Sequence, residues 1–323
     1  MQRLIETLSY LAVQLGLALS SLAVSLVPRS WLLAFFRAAA DLGFHLFHKF
    51  RERSKTNLKL ALGNELHDRE IADVVRATLR NFFRDIVELG IAYASQRQRI
   101  RAEIPISGLQ HLNAAIAKGQ GVIVLSGHLG NFLLLGTRLA AEGLSVNVLI
   151  NQTHNKKIAE LRSRQRDRIG QRTIHARPRK QAFRELIRVL RENEIVIMIA
   201  DEFRSGSGVY VTFFGRTVLA RRGPATLALR TGAAVVPACL VRNPAGELGL
   251  VIEAEIELSR TGKIKTDIIQ STVQMTQWLE KTVRSYPGQW NWMTIHWQDG
   301  AKAGLAVGTA REEDEESYLD PGN

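Results

Sequence analysis

Cysteine is almost absent from this chain of 323 residues, which contains one, at position 239. A single thiol excludes an intrachain disulfide framework and a cysteine-based metal cluster, and it agrees with a reducing compartment. Cys239 lies in the apolar run of residues 235–241, so we predict a buried thiol. His45 and His48 are three positions apart but have no acidic residue at a matching offset. We therefore predict no metal site, and no pattern in the sequence indicates a cofactor.

Acidic residues are scarce relative to basic ones. The chain has 31 aspartates and glutamates against 43 lysines and arginines, a formal net charge of +12. This excess indicates an anionic partner, for which nucleic acid, a membrane surface and an acidic carrier protein are the candidates. No recognised nucleic-acid motif is present, so we do not expect nucleic acid as a partner. The hydrophobic fraction of 46% allows a sizeable core and excludes wholesale disorder.

Charged residues are missing from residues 10–27, an apolar run about long enough to cross the core of a bilayer. Few basic residues precede the run and no Ala-x-Ala cleavage site follows it, so a removed signal peptide is not expected. A buried or interfacial helix is the alternative, because the run contains Gln14 and several serines. Trp31 and Phe35 follow as aromatic anchors, and the basic residues beyond them place that flank on the cytoplasmic side by the positive-inside rule.

The chain divides into three predicted parts. Residues 1–55 form a membrane anchor and an interfacial helix, and residues 56–300 form the main α/β domain. Residues 301–323 are rich in glycine and charge, with an acidic run at residues 312–316, so we predict a disordered acidic tail.

Strands and helices alternate in the main domain, a pattern typical of βαβ units. Strands are predicted at residues 121–126, 145–150, 194–200, 209–214, 233–241 and 248–257, and helices at residues 68–93, 110–117, 132–141, 156–169, 181–192 and 267–286. The last two strands follow each other across a turn and are expected to pair. The fold class is therefore α/β, with a central mixed sheet flanked by helices.

His128 occupies the most informative position in the sequence. It comes directly after the apolar strand of residues 121–126 and before the helix of residues 132–141. In an open α/β sheet, ligands bind in the crevice beyond the carboxyl ends of the strands. A histidine there suits general-base chemistry near neutral pH, and a histidine that caps a turn is the simpler interpretation.

Further polar residues follow other strands. Asp201 and Glu202 come after the strand of residues 194–200. Arg221 and Arg222 precede a helix that opens with Gly223 and Pro224, and the backbone N–H groups at such a start form an anion site. The helix of residues 156–169 is strongly basic. A solvated face and a surface that binds phosphate or a carrier protein are equally consistent with it.

Five segments in this order resemble the lysophospholipid acyltransferase superfamily, and within it the bacterial lipid A biosynthesis (late, Kdo-dependent) acyltransferases. They are SGHLGNF at 126–132, ADE at 200–202, VYVTFFGR at 209–216, RRGPATLALRTGAAVVP at 221–237 and YPGQWNWMTIHW at 286–297. The phospholipid-type members carry a phenylalanine-proline-glutamate-glycine loop that this chain lacks. The resemblance covers nearly the whole chain and implies a glycerolipid acyltransferase-like fold.

The resemblance implies a membrane-bound acyltransferase of the bacterial inner membrane, with its catalytic domain on the cytoplasmic face. His128 would deprotonate a hydroxyl of a lipid A precursor or a related glycolipid, which attacks an acyl thioester carried on acyl carrier protein or coenzyme A. Backbone N–H groups or a side-chain donor would stabilise the oxyanion. The expected substrate-binding residues are Asn131, Arg164, Arg168, Arg204, Arg216, Arg221 and Arg222.

The sequence departs from the family pattern at position 133. The pattern has an acid five positions after the histidine, and this chain has Leu133. Loss of the carboxylate that orients a catalytic histidine costs orders of magnitude in rate. Three outcomes are open: Asp201 or Glu202 supplies the carboxylate, a backbone carbonyl or Asn131 orients the ring, or the chain binds lipid or carrier without catalysis. An acyltransferase that acts on a lipid other than lipid A is a further alternative.

Overall fold

The computed structural model describes residues 14–16, 22–23, 26–95, 97–151, 155–203 and 208–298. Much of the predicted anchor at residues 10–27, Arg204 and the predicted tail at residues 301–323 lie outside these ranges, so the corresponding expectations remain predictions. Within the described ranges, no helix has both the length and the apolar composition that crossing a membrane requires.

Helices and strands alternate through most of the described chain. The helices are α1 (Arg29–Leu46), α2 (His48–Leu62), α3 (Asp68–Ala94), α4 (Arg97–Glu103), α5 (Leu109–Ile116), α6 (Phe132–Ala140), α7 (Lys156–Arg168), α8 (Arg179–Arg191), α9 (Gly223–Thr231) and α10 (Ile264–Ser285). The strands are β1 (Ile106–Ser107), β2 (Val122–Ser126), β3 (Val146–Ile150), β4 (Gln171–His175), β5 (Ile195–Ile199), β6 (Val209–Phe213), β7 (Arg216–Ala220), β8 (Ala234–Arg242) and β9 (Leu248–Ile252).

The main sheet has seven strands in the order β1-β9-β8-β2-β5-β3-β4. Strand β2 lies at its centre and pairs in parallel with both β5 and β8. Strands β8 and β9 pair antiparallel, which makes the sheet mixed. The structure confirms the predicted α/β fold with a central mixed sheet flanked by helices. A separate hairpin, β6 and β7, lies outside this sheet.

The central strand is buried on both faces. Ile123 and Leu125 belong to one hydrophobic cluster, and Val122 and Val124 belong to the cluster on the other side. Successive side chains of a strand point to opposite faces, so a strand covered by helices on both sides needs an unbroken apolar run. The sequence of β2 has that run. The run ends at Ser126, so the chain leaves the sheet just before His128.

The sequence patterns missed several elements. Strands β4 and β7 were not predicted. Each begins with polar residues, a pattern that indicates the end of a loop. Helix α2 was also not predicted. The predicted core thiol is confirmed: Cys239 is buried, and burial raises its pKa to about 12.

Truncation of a buried side chain in the central strand β2 should destabilise the protein strongly. Ile123 is fully buried, so Ile123→Ala removes apolar contacts and leaves a cavity. We expect a loss of about 2–5 kcal/mol in the free energy of unfolding, measured by urea denaturation. Gln181→Ala on the exposed surface of α8 is the control and should change it by less than about 0.5 kcal/mol. Equal losses in both variants would contradict the central position of β2.

Candidate functional site

His128 lies two residues beyond the end of β2, at the carboxyl edge of the sheet. The neighbouring strand β5 ends at the same edge, and the N–H of Ala200 donates to the carbonyl of Ser126 at 2.8 Å. This bond holds the two chain segments that leave the sheet side by side. The His128 side chain is 28% exposed, so its ring is reachable from solvent.

The imidazole of His128 contacts a buried carboxylate. Its Nδ1 lies 2.8 Å from Oδ1 of Asp201, whose side chain is 0% exposed. When Nδ1 carries the proton, it donates to this carboxylate and Nε2 presents its lone pair. A carboxylate in this position fixes the ring orientation and stabilises the imidazolium. A carboxylate from Asp201 or Glu202 was one of the three outcomes that the sequence left open, and Asp201 is the acid that contacts the ring.

The second oxygen of Asp201 is also bonded. Its Oδ2 accepts from the backbone N–H of His128 and from Nε1 of Trp290, both at 2.7 Å. Burial of a carboxylate without donors is costly, and three donors offset that cost. Trp290 is fully buried. Its hydrogen bond to Asp201 was not anticipated, because the two residues are 89 positions apart in sequence.

The loop that carries His128 is held by its backbone. The N–H of Gly130 donates to the carbonyl of Gln289 at 2.9 Å, and the N–H of Asn131 donates to the carbonyl of Leu240 at 2.8 Å. Gly130 has a φ of +56°, and a Cβ there would collide with the Leu240 carbonyl. Only glycine fits this close approach.

Aromatic rings surround the pair. The Phe132 ring stands edge-on to the imidazole, with 4.9 Å between ring centroids. Behind Asp201, the Trp290 ring packs against Phe213 at 5.7 Å and against Trp292 at 4.7 Å. This packing places the carboxylate in a surrounding of low polarity, which strengthens its hydrogen bonds.

Glu202 lies beside Arg221. It is partly exposed, and its Oε2 lies 3.9 Å from an Nη of Arg221. Arg222 directly precedes α9, whose second residue is Pro224, as the sequence predicted for a helix start. Arg221, Arg222 and the first turn of α9 therefore form a cationic feature beside Glu202.

The other predicted arginines are dispersed. Arg164 is exposed on α7 and bonds Glu160 at 3.3 Å, while Arg168 is exposed in the last turn of that helix. Arg216 lies in β7, and its Nε donates to the carbonyl of Leu60 at 2.9 Å. That bond connects the hairpin to α2, so part of the Arg216 side chain has a structural task.

Asn131 is fully buried, which favours a structural role over the predicted contact with substrate. Its amide donates to Glu88 of α3 at 3.0 Å, and Glu88 also binds Arg242 of β8. Burial raises the pKa of the adjacent Asp85 to about 7, although Arg242 opposes the shift. Sequence analysis missed this cluster of charges, because the pattern of residues 68–93 indicated only a helix.

A cavity of about 270 Å³ lies near Glu88 but apart from His128. Side chains that line it include Arg29, Arg84, Glu88, Ile104, Leu134 and Leu248. The arginines that line the cavity form ion pairs with glutamates. For example, Arg29 bonds Glu103 at 3.0 Å.

The family described as bacterial lipid A biosynthesis acyltransferase matches residues 1–299. Among curated proteins, phosphatidylinositol mannoside acyltransferase of Mycolicibacterium smegmatis is 23% identical over 227 residues, 70% of this chain and 72% of that protein. Lipid A biosynthesis acyltransferase of Haemophilus influenzae is 26% identical over 252 residues, covering 77% and 76%. Lipid A biosynthesis palmitoleoyltransferase of Escherichia coli is 27% identical over 254 residues, covering 76% and 78%.

Removal of the buried carboxylate should cost stability. Asp201→Ala leaves two ring or indole donors and one backbone donor without their acceptor in a buried place. We expect a loss of about 1–3 kcal/mol in the free energy of unfolding. Glu202→Ala, one residue further on and partly exposed, is the matched control and should change it by less than about 0.5 kcal/mol. Urea denaturation followed by tryptophan fluorescence measures both, and a smaller loss for Asp201→Ala than for Glu202→Ala contradicts the bonding described.

Proposed function

Because the chain belongs to the bacterial lipid A biosynthesis acyltransferase family and is an acyltransferase, we propose that it moves a fatty acyl chain from an acyl thioester to a hydroxyl of a lipid A precursor or a related glycolipid. His128 is the general base in this proposal. The observation that carries it is the 2.8 Å contact between His128 Nδ1 and the buried carboxylate of Asp201, with the ring open to solvent at the carboxyl edge of the sheet.

The proposed reaction proceeds in two steps. Nε2 of His128 takes the proton of the acceptor hydroxyl while the oxygen attacks the thioester carbonyl, and a tetrahedral oxyanion forms. The oxyanion then collapses, the carbon–sulfur bond breaks, and the imidazolium returns the proton to the departing thiolate. Asp201 stabilises the imidazolium between these steps, and Trp290 keeps the carboxylate in place.

Asp201 takes over the task that the family pattern gives to an acid at position 133. The carboxylate comes from the end of β5 rather than from the first turn of α6, where Leu133 stands. Both positions lie at the same edge of the sheet, so either can reach the ring that follows β2. This substitution of one acid for another supports an active enzyme over a protein that binds lipid without catalysis.

Three backbone N–H groups of the His128 loop are already bonded and are not available to the oxyanion. The N–H groups of His128, Gly130 and Asn131 are all engaged, by Asp201, Gln289 and Leu240 respectively. They stay bonded unless the loop rearranges. Other backbone amides or a cationic side chain at the crevice therefore supply the donors in our proposal.

Arg221 and Arg222 are the proposed anion-binding residues. Both precede α9, where the positive end of the helix dipole adds to their charge. The phosphate they bind belongs to the acceptor lipid or to the phosphopantetheine of acyl carrier protein or coenzyme A. Arg164 and Arg168 are proposed to contact glycolipid phosphates from the exposed surface of α7, and Arg204 remains a predicted contact in the loop after Glu202.

An apolar face of α1 and α3 is the proposed membrane-docking surface. It consists of exposed side chains at positions with helical spacing: Trp31, Phe35, Leu42, Leu46, Phe82 and Ile86. Exposed aromatic and aliphatic side chains grouped in this way insert into the interface of a bilayer. We propose that the protein works at the inner membrane with this face against the cytoplasmic leaflet, which brings lipid acceptors to the His128 crevice.

Substitutions at the catalytic pair should separate the roles of the two acids. We expect His128→Ala to abolish acyl transfer and Asp201→Asn to lower kcat by about 10²–10⁴-fold, because the ring loses its orienting charge. Glu202→Gln is the matched control and should keep kcat within about threefold. The assay uses purified protein, acyl carrier protein or coenzyme A charged with fatty acids, and a panel of acceptors that contains lipid A precursors and mannosylated phosphatidylinositol. Acyl transfer by His128→Ala at the wild-type rate contradicts the proposal.

The membrane-docking surface is tested by vesicle flotation. We expect the double variant Trp31→Ser/Phe35→Ser to bind vesicles of anionic phospholipid at least about tenfold more weakly, since two large apolar groups no longer insert. Met293→Ser is the control, because Met293 is an exposed hydrophobic residue far along the chain from this face. Vesicle binding by the double variant at the wild-type level assigns membrane association to another part of the chain.

A further inference from the structure

A cluster of buried charged and polar residues lies behind the His128 loop. We call Asp85, Glu88, Asn131 and Arg242 the Glu88 cluster. Arg242 donates through Nη1 to Oε1 of Glu88 and through Nη2 to Oε2, both at 2.8 Å, and its Nη2 also bonds Asp85. The side chains of Arg242 and Glu88 are each 4% exposed. This is a bidentate ion pair, the arrangement with the greatest geometric specificity.

The Glu88 cluster reaches the loop through Asn131. The side-chain amide of Asn131 donates to Oε2 of Glu88 at 3.0 Å, and its own Oδ1 has no hydrogen-bond partner among the described residues. Glu88 is therefore the polar group that orients this side chain. Asn131 is three positions after His128 and directly precedes α6, so its placement sets the exit of the loop from the catalytic residue.

A second connection passes through the backbone of Arg242. Its N–H donates to Oε1 of Gln289 at 2.8 Å, and Nε2 of Gln289 donates to its carbonyl at 2.9 Å. The carbonyl of Gln289 in turn accepts from the N–H of Gly130. One residue of β8 thus connects to the loop on two sides, once through Glu88 and Asn131 and once through Gln289.

Stability alone does not account for this cluster. A buried ion pair contributes little net stability compared with hydrophobic residues of the same volume, and its established benefit in other proteins is a unique arrangement. Burial would raise the pKa of Glu88, but the hydrogen bonds and charge of Arg242 and the charge of Arg84 hold it below its ordinary value. Glu88 is thus a fixed anion on which the loop is anchored.

We propose that Glu88 and Arg242 are positioning residues for acyl transfer: their ion pair fixes Asn131 and the His128 loop, and it acts through them rather than by touching substrate. This inference rests on the proposed function of His128. Misplacement of a catalytic group by about 1 Å costs roughly 10²-fold in rate. Loss of the ion pair should therefore lower kcat strongly and change KM little.

The first test compares Glu88→Ala with Glu88→Gln in the full-length protein. The glutamine keeps an oxygen that accepts from Asn131, whereas the alanine does not. We expect Glu88→Ala to lower kcat by about 10²-fold with KM changed less than about threefold. Glu88→Gln should recover at least a tenth of the wild-type kcat. Equal kcat values for the two variants, or a loss confined to KM, overturn the proposal.

Arg138→Met is the control for general destabilisation. Arg138 lies in α6, its side chain is also 4% exposed, and it bonds the carbonyl of Ile104 and Glu142 rather than the His128 loop. Arg242→Met and Arg138→Met should lower the melting temperature by similar amounts. Only Arg242→Met should lower kcat by more than about tenfold. A comparable loss of kcat in Arg138→Met overturns the assignment, because it attributes the effect to destabilisation.

Hydrogen exchange of the loop decides the question without an activity assay. The amides of His128, Gly130 and Asn131 are bonded in the intact protein, so a peptide covering residues 126–133 should be protected. We expect Glu88→Ala to accelerate its exchange at least about tenfold and Arg138→Met to leave it within about twofold. Unchanged exchange in Glu88→Ala overturns the positioning role. Glu88→Ala can accelerate the exchange of the loop even if the wild-type protein acylates none of the acceptors. That pair of results supports the positioning of the loop by Glu88 and contradicts the proposed function.

Discussion

One buried negative charge organises the site. Asp201 has no contact with solvent, and its two oxygens accept from the ring and the backbone amide of His128 and from the indole of Trp290. A carboxylate in such a place is stable only with its donors in position. The end of β2, the end of β5 and the segment after α10 must therefore meet at one point. The shape of the crevice follows from that requirement.

Much of the fold was predictable because a buried strand or helix needs apolar residues at regular local spacing. Strand β2 is apolar throughout since helices cover both of its faces, and the turn after it is marked by Gly127 and Gly130. Strand β4 has no such pattern. It is an edge strand with an exposed arginine at position 172, and edge strands need only part of the apolar pattern. Strand β7 was missed for a similar reason.

The site was predictable to the level of neighbouring strands and no further. That His128 and the pair Asp201–Glu202 lie close together follows from parallel strands that end at the same edge. The choice between the two acids depends on the backbone beyond β5, which turns Asp201 inward and leaves Glu202 near Arg221. The contributions of Trp290, Glu88 and Arg242 depend on contacts between residues far apart in the chain. No spacing in the sequence records such contacts.

The residues that support His128 are synthesised at different times, and the segment after α10 comes last among them. Trp290 donates to Asp201, and Gln289 binds both Gly130 and Arg242, so the last described stretch of the chain completes what the middle builds. A ribosome delivers the N-terminus first, so these residues are synthesised after His128, Asp201 and Arg242. The imidazole of the nascent polypeptide therefore exists before the residues that support it, and the site reaches its finished arrangement only after the segment that follows α10 has left the exit tunnel.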